Sequence, residues 1–194
     1  MNKKDKEFRK MDGYKPGEEC SQCKGRCCRE RGCSLSPQDM WQALGQEPFV
    51  PQGKEERGSL REALLQLLQQ PDGLYALDFF QEKDGPCYYL RMRHKCYTFI
   101  GVDAIGECVA LTSNGCSLTA AQRPKGGRYL ESRPGGDCVQ HYAREQMCED
   151  WAPYGELLKD IWEEYHTIFQ QDGTFERCDE AYFAWMRETH ASKK

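Results

Sequence analysis

Four cysteines near the start of the chain lie close enough in sequence to bind a single metal centre. Two residues separate Cys20 from Cys23, and three separate Cys23 from Cys27, which Cys28 follows directly. Gly25 eases the turn that would direct several thiolates toward one point. A lone pair of cysteines two residues apart occurs in redox motifs and in zinc sites alike, but four within nine positions are a stronger signal. These four cysteines are therefore predicted to hold the metal or cluster.

The adjacent cysteines Cys27 and Cys28 leave several roles open. Consecutive side chains tend to point apart, so the two seldom bind one ion in relaxed geometry. One of them could serve a second metal, bridge two metals or act as a free thiolate. The simpler interpretation is that one is only packed, because free cysteine buries well.

A second group of cysteines lies in the centre of the chain. Cys108 and Cys116 flank a segment in which Asn114 and Gly115 predict a turn. This turn would bring the two sulfurs back toward each other. Both cysteines are therefore predicted to be metal ligands.

Further along the chain, Cys138 and His141 lie three residues apart at the start of a predicted helix. Residues at this spacing share one helix face, as metal ligands often do. Cys138 is predicted to be a ligand. The role of His141 stays open, since most single histidines face solvent or are structurally satisfied. The roles of Cys33, Cys87, Cys96 and Cys148 also stay open.

The segments CSQCKGRCC and CVALTSNGCSL, followed by Arg123 and Pro124, resemble the YkgJ-type cysteine-cluster family. That family is described as a zinc- or iron-chelating domain with a C-x-x-C-x-x-C-C cluster. The ligands that the resemblance implies are Cys20, Cys23, Cys27, Cys28, Cys108 and Cys116. The chain departs from the pattern in its first cluster, which has three residues before the double cysteine. It also has Gly127 where the family places a cysteine, and Cys138 is interpreted as the replacement.

The nature of the metal leaves two chemistries open. The number of thiolates exceeds the four that one zinc ion or one cubane cluster requires, so two sites or one cluster with a spare thiol are possible. Turn-rich loops and surplus cysteines favour an iron-sulfur cluster, with zinc as the alternative. One function hypothesis is a metal-binding or structural zinc module with a protein partner. The other is an iron-sulfur enzyme, because a better understood relative of the family resembles a flagellin lysine N-methylase.

Composition and charge limit the classes of partner that the protein is expected to bind. The chain has 194 residues, 12 cysteines and a formal net charge of -4, and its basic residues are scattered. A nucleic-acid partner is therefore not expected. No apolar run suggests a signal peptide or a membrane span, so the protein is expected in the cytoplasm. Because the cytosol keeps thiols reduced, metal binding explains the cysteines better than disulfides.

The pattern of elements predicts one α+β domain over residues 20–190, after a polar tail at 1–19. Ser36 and Pro37 predict a helix start, and a second helix is expected from Ser59. Residues 74–80 and 88–92 predict an antiparallel hairpin, and helices are expected from Val139 onward. The expected fold is mostly helical, with a small antiparallel sheet and a cysteine-rich loop face stapled by metal.

Overall fold

The computed structural model is an α+β fold in which one small sheet lies between helices. It describes residues 25, 28–29, 32–70, 73–94, 98–102, 106–113, 115–131, 133 and 138–191. The predicted tail at 1–19 lies outside the described residues, as do Cys20, Cys23, Cys27 and Cys96.

The central sheet is built on a hairpin. Its strands are β1 (Cys33–Ser34), β2 (Tyr75–Glu82), β3 (Gly85–Met92) and β4 (Ile100–Val102). Their order is β1-β3-β2-β4. The β2–β3 pair is antiparallel over all eight residues of each strand, which confirms the predicted hairpin. β4 runs parallel to β2, so the small sheet is mixed around its antiparallel hairpin, and the predicted α+β fold is confirmed. The connection from β3 to β4 returns the chain to the far edge of the hairpin, where only parallel pairing is made.

Two further strand pairs are very short. They are β5 (Leu111–Thr112) with β6 (Gly115–Cys116), and β7 (Leu130–Glu131) with β8 (Val139–Gln140). Both pairs are antiparallel. The helices are α1 (Pro37–Leu44), α2 (Lys54–Leu68), α3 (Lys125–Arg128), α4 (Arg144–Trp151), α5 (Gly155–Gln171) and α6 (Thr174–Ala191). Short 3-10 turns cover Ala120–Gln122 and Ala152–Tyr154.

Helices cover both faces of the hairpin. Trp162 of α5 packs edge-on against Phe79 at 4.9 Å between ring centroids. The next residue, Phe80, points to the opposite face because side chains alternate along a strand. There the Arg144 guanidinium of α4 lies 4.7 Å from its ring centroid. The apolar core therefore forms around the sheet, and the short loops that carry cysteines lie at its edge.

Residues at the start of α1 predict its position in the sequence correctly. The Ser36 hydroxyl accepts the Asp39 N–H while the Asp39 carboxylate accepts the Ser36 N–H, which forms a capping box, and Pro37 occupies the first turn. The start of α2 differs from the prediction, since the helix begins at Lys54 and not at Ser59. No side chain caps the true start, which is why the sequence does not reveal it.

A glycine in the middle of α2 offers a direct test of the local packing. A methyl group added at Gly58 would meet nothing within 4 Å. Glycine in a helix interior costs about 0.5–1 kcal/mol relative to alanine. We expect Gly58→Ala to raise the free energy of unfolding by about that amount in urea titration. A loss of stability would show that this segment is not packed as described.

Three charged side chains lie inside the fold. The Asp78 carboxylate accepts hydrogen bonds from Arg91 at 3.2 Å and from Arg93 at 2.8 and 3.1 Å. Asp78 and Arg93 are fully buried, and Arg91 is nearly so. The group joins β2 to the end of β3. Among the described residues, no helix is long and apolar enough to cross a membrane.

Candidate metal centre

The predicted ligands fall into two sets in the structure. Cys28, Cys108, Cys116 and Cys138 are described, whereas the remaining ligands of the first cluster lie outside the described residues. Among these four, Cys116 lies in the short strand β6, Cys28 in a short helical segment, and Cys108 and Cys138 in neither a helix nor a strand. Their positions are set by backbone hydrogen bonds between these segments.

The turn at Gly25, which precedes Cys28, packs against Leu111 of the β5–β6 pair. Gly25 adopts a left-handed conformation with φ of 66°, and the Arg29 N–H donates to its carbonyl at 3.0 Å. A methyl group at Gly25 would lie 2.7 Å from a methyl of Leu111 and 3.8 Å from Cys28 Cβ. Glycine is therefore required here by conformation and by space.

Cys108 and Cys116 lie on either side of the predicted turn. Cys116 is the strand partner of Leu111, and the Leu111 N–H donates to the Cys108 carbonyl at 3.0 Å. Gly115 has a φ of 98°, as expected of a turn residue. The predicted reversal of the chain is confirmed, although Asn114 lies outside the described residues.

A backbone hydrogen bond between described residues joins the first cluster to the second. The Cys108 N–H donates to the Cys28 carbonyl at 2.6 Å. Cys108 is buried and Cys28 is partly exposed. Two cysteines that are far apart in sequence are thus neighbours in the fold, as the predicted joint site requires.

Cys33 is one of the cysteines for which the sequence predicts no role. It forms β1 with Ser34 and is paired with Met92 of β3. Burial raises the pKa of its thiol, and the charges of Cys108, Asp39 and Cys116 raise that pKa further. A hydrogen bond from the Gly127 backbone acts in the opposite direction. Cys33 is therefore near both central cysteines.

Two glycines of α3 make this approach possible. A methyl group at Gly127 would begin 3.1 Å from Cys33 Sγ, and one at Gly126 would lie 2.7 Å from the Ser34 carbonyl oxygen. Such distances are shorter than normal van der Waals contacts, so only glycine lets α3 lie against β1. No sequence signal relates Cys33 to residues nearly one hundred positions away.

Asp39 holds α3 in this position. Besides capping its own helix, its carboxylate accepts the Lys125 N–H at 2.8 Å and the Arg128 guanidinium at 3.1 Å. One acidic side chain thus joins α1 to the first turn of α3. Its charge also raises the pKa of Cys33.

Cys138 and His141 do not lie on a helix. Cys138 precedes the short strand β8, and the next helix begins only at Arg144. His141 Nε2 lies 2.8 Å from a carboxylate oxygen of Glu131. The predicted helical pair is wrong, because Cys138 and His141 flank the strand β8, which pairs with β7.

Three arginines near α3 each have a partner within the fold. Arg128 pairs with Asp39 and also donates to the Arg123 carbonyl at 2.8 Å. Arg133 contacts Glu131 at 3.2 Å, and Arg123 donates to the Leu118 carbonyl at 3.3 Å. These contacts are those of ordinary structural pairs.

Within the part of the chain that the structure describes, no three histidine, cysteine, aspartate or glutamate side chains are arranged to hold a metal ion. The described residues contain only part of the predicted donor set, since Cys20, Cys23 and Cys27 lie outside them. We found no match to the chain among protein-family models, curated proteins or solved structures.

Proposed function

We propose that this protein binds a metal through its cysteines, as an iron-sulfur cluster or, alternatively, as zinc. The observation that carries the proposal is the proximity of Cys33 to Cys108 and Cys116, whose charges act on its thiol. The backbone hydrogen bond between Cys28 and Cys108 brings the first cluster to the same region. These contacts relate four cysteines from separate parts of the chain, which supports the proposal.

Metal binding would offset the repulsion between the thiolate forms of these cysteines. Burial and mutual repulsion disfavour several thiolates in a confined space. A cation among them reverses this effect, because a coordinating thiol is deprotonated by the metal. Metal binding would also stabilise segments that have few regular elements, since the binding free energy adds to the folding free energy.

Gly127 supports a specific ligand assignment. It occupies the position at which the YkgJ-type pattern has a cysteine, and a side chain at this position would begin 3.1 Å from Cys33 Sγ. Cys33 can therefore supply the sulfur that Gly127 lacks, which makes it a better candidate than Cys138. The proposed ligands are then Cys28, Cys33, Cys108 and Cys116, with Cys20, Cys23 and Cys27 as further thiolates.

An iron-sulfur cluster is preferred to zinc because the proposed thiolates exceed those of one closed zinc site. The role of the metal is proposed to be structural or in binding a partner. The modification of a protein or small molecule, as in the flagellin lysine N-methylase resemblance, remains the alternative.

Cys33→Ser tests the assignment most selectively. The substitution removes the sulfur but leaves a side chain of similar size in β1. We expect the metal affinity, measured by competition with a chelator, to fall by at least about tenfold, since even groups outside the ligand shell contribute that much. Circular dichroism of the metal-free form should be unchanged.

Cys178→Ser is the matched control. Cys178 is also a partly exposed cysteine, but it lies on helix α6. This variant should retain the metal like the parent protein. If Cys33→Ser does so too, Cys33 is not a ligand; if the parent protein binds neither iron nor zinc, the metal-binding proposal itself fails.

A further inference from the structure

A second pair of cysteines lies in another part of the fold. Cys87 on β3 and Cys148 on α4 lie close enough for each thiol to act on the pKa of the other. Neither has a place in the proposed metal centre. Both line the same surface groove, which has a volume of about 710 Å³. Adjacent thiols that also reach a groove can react with a ligand and then with each other.

The two thiols differ in accessibility. Cys87 is 7% exposed, whereas Cys148 is partly exposed at the groove. Burial raises the pKa of both thiols. The interaction between the two thiols raises the pKa of Cys87 and lowers that of Cys148. Because Cys148 is the more exposed thiol, it is the one that can reach a molecule in the groove, with Cys87 behind it.

The groove carries an excess of negative charge. Its lining includes five carboxylates, among them Glu82, Glu145 and Glu149, and the two lysines Lys83 and Lys159. The difference is three formal negative charges on these side chains. A cleft of one charge sign raises the local concentration of ligands of the opposite sign. A positively charged ligand therefore suits this groove better than an anionic one.

We propose that Cys87 and Cys148 form a redox-active dithiol that reduces small cationic disulfides bound in the acidic groove. Cys148 is the attacking thiol and Cys87 is the resolving thiol. The assignment rests on their shared position in the groove, their difference in exposure and the charge of the groove. It is independent of the proposed metal site.

The reaction balances as two thiol–disulfide exchanges. The Cys148 thiolate attacks one sulfur of the small disulfide, a mixed disulfide forms, and one small thiolate leaves and takes up a proton. Cys87 then loses its proton and attacks Cys148 Sγ, which releases the second small thiol. The protein loses two electrons and two protons to form the Cys87–Cys148 disulfide, and the small disulfide is reduced to two thiols.

Cystamine is a suitable probe, because it is a small disulfide with two ammonium groups. The complete protein, with its metal content unchanged, would be treated with cystamine, quenched in acid, alkylated and digested with trypsin. Cleavage gives the peptides 84–91 and 145–159, each of which contains one cysteine. We expect these two peptides to be disulfide-linked. Linkage of either peptide to a different cysteine, or no linkage, would overturn the proposal.

Two variants test the separate roles. Cys87→Ser should stop the reaction at the mixed disulfide, so that peptide 145–159 carries one cysteamine. Cys148→Ser should leave peptide 84–91 unmodified, because Cys87 is buried. Modification of Cys87 at the parent rate in the second variant would contradict the assigned order.

The charge preference is tested with three disulfides at low salt. Rates with cystamine, the neutral 2-hydroxyethyl disulfide and the anionic glutathione disulfide would each be divided by their rates with N-acetylcysteine. We expect about a tenfold preference for cystamine over glutathione disulfide, which falls with added salt. The double variant Glu145→Gln, Glu149→Gln should show a smaller preference for cystamine. Equal normalised rates would rule out the proposed ligand class.

Discussion

Asp78→Asn is expected to lower the free energy of unfolding by about 3–5 kcal/mol, the cost of removing one partner from a buried ion pair. The asparagine keeps the shape of the side chain but removes the charge that both Arg91 and Arg93 face in the interior. Two guanidinium groups would then lie close together without their carboxylate. Urea or thermal unfolding of the purified variant measures the loss.

Asp84→Asn provides the control for this prediction. Asp84 lies in the exposed turn of the same hairpin, so its substitution should change stability by no more than about 0.5 kcal/mol. If Asp78→Asn is equally mild, the buried charge group does not stabilise the fold as described.

Asp78→Asn should also weaken metal binding. The side chain of Arg93 packs between Gly32, which precedes Cys33, and Gly106, which lies two residues before Cys108. The His94 N–H also donates to the Glu107 carbonyl at 2.9 Å. Loss of the Asp78 charge would release the arginine on which both cysteine segments rest. Metal affinity is therefore expected to fall along with stability, whereas Asp84→Asn should change neither.

Gly32→Ala is expected to cost about 2–4 kcal/mol, from left-handed backbone strain and from overpacking. Gly32 has a φ of 64°. A methyl group there would lie 2.5 Å from the Met92 carbonyl oxygen and 3.2 Å from Arg93 Cβ. Relief of this contact would move the adjacent Cys33 away from the sheet, so metal affinity should also fall.

Gly45→Ala separates the two contributions. Gly45 has nearly the same φ, 66°, but a methyl group there would meet nothing within 4 Å. It should therefore show only the conformational cost, about 1–2 kcal/mol, with metal binding intact. Equal losses in the two variants would mean that the contact with Met92 is not as close as the structure has it.

The fold was predictable where local signals act. Ser36 and Pro37 mark the start of α1, and the alternation of residues around the turn at 83–84 marks the hairpin. The start of α2 has no capping side chain, and the strand Val139–Gln140 is too short to show a pattern. The predictions from sequence were therefore wrong where the structure is determined by pairing with distant segments and not by local preference.

The candidate site was predictable only in part, for a related reason. The turn between Cys108 and Cys116 follows from local residues. The approach of Cys33 depends on β1 pairing with β3 and on two glycines of α3, Gly126 and Gly127, and no spacing in the sequence reports these contacts. In the same way, the spacing of Cys138 is that of a metal ligand on a helix, but the residues that follow it form the strand β8.

The most direct test of the proposed metal centre is the analysis of iron, zinc and acid-labile sulfide in protein purified without oxygen. A visible absorption spectrum would be recorded on the same sample. Iron with about equal sulfide and broad charge-transfer absorption is the predicted result. Zinc without sulfide would replace the cluster by the alternative metal. Protein that contains neither metal, and that binds neither after incubation with iron and sulfide or with zinc, would contradict the proposal.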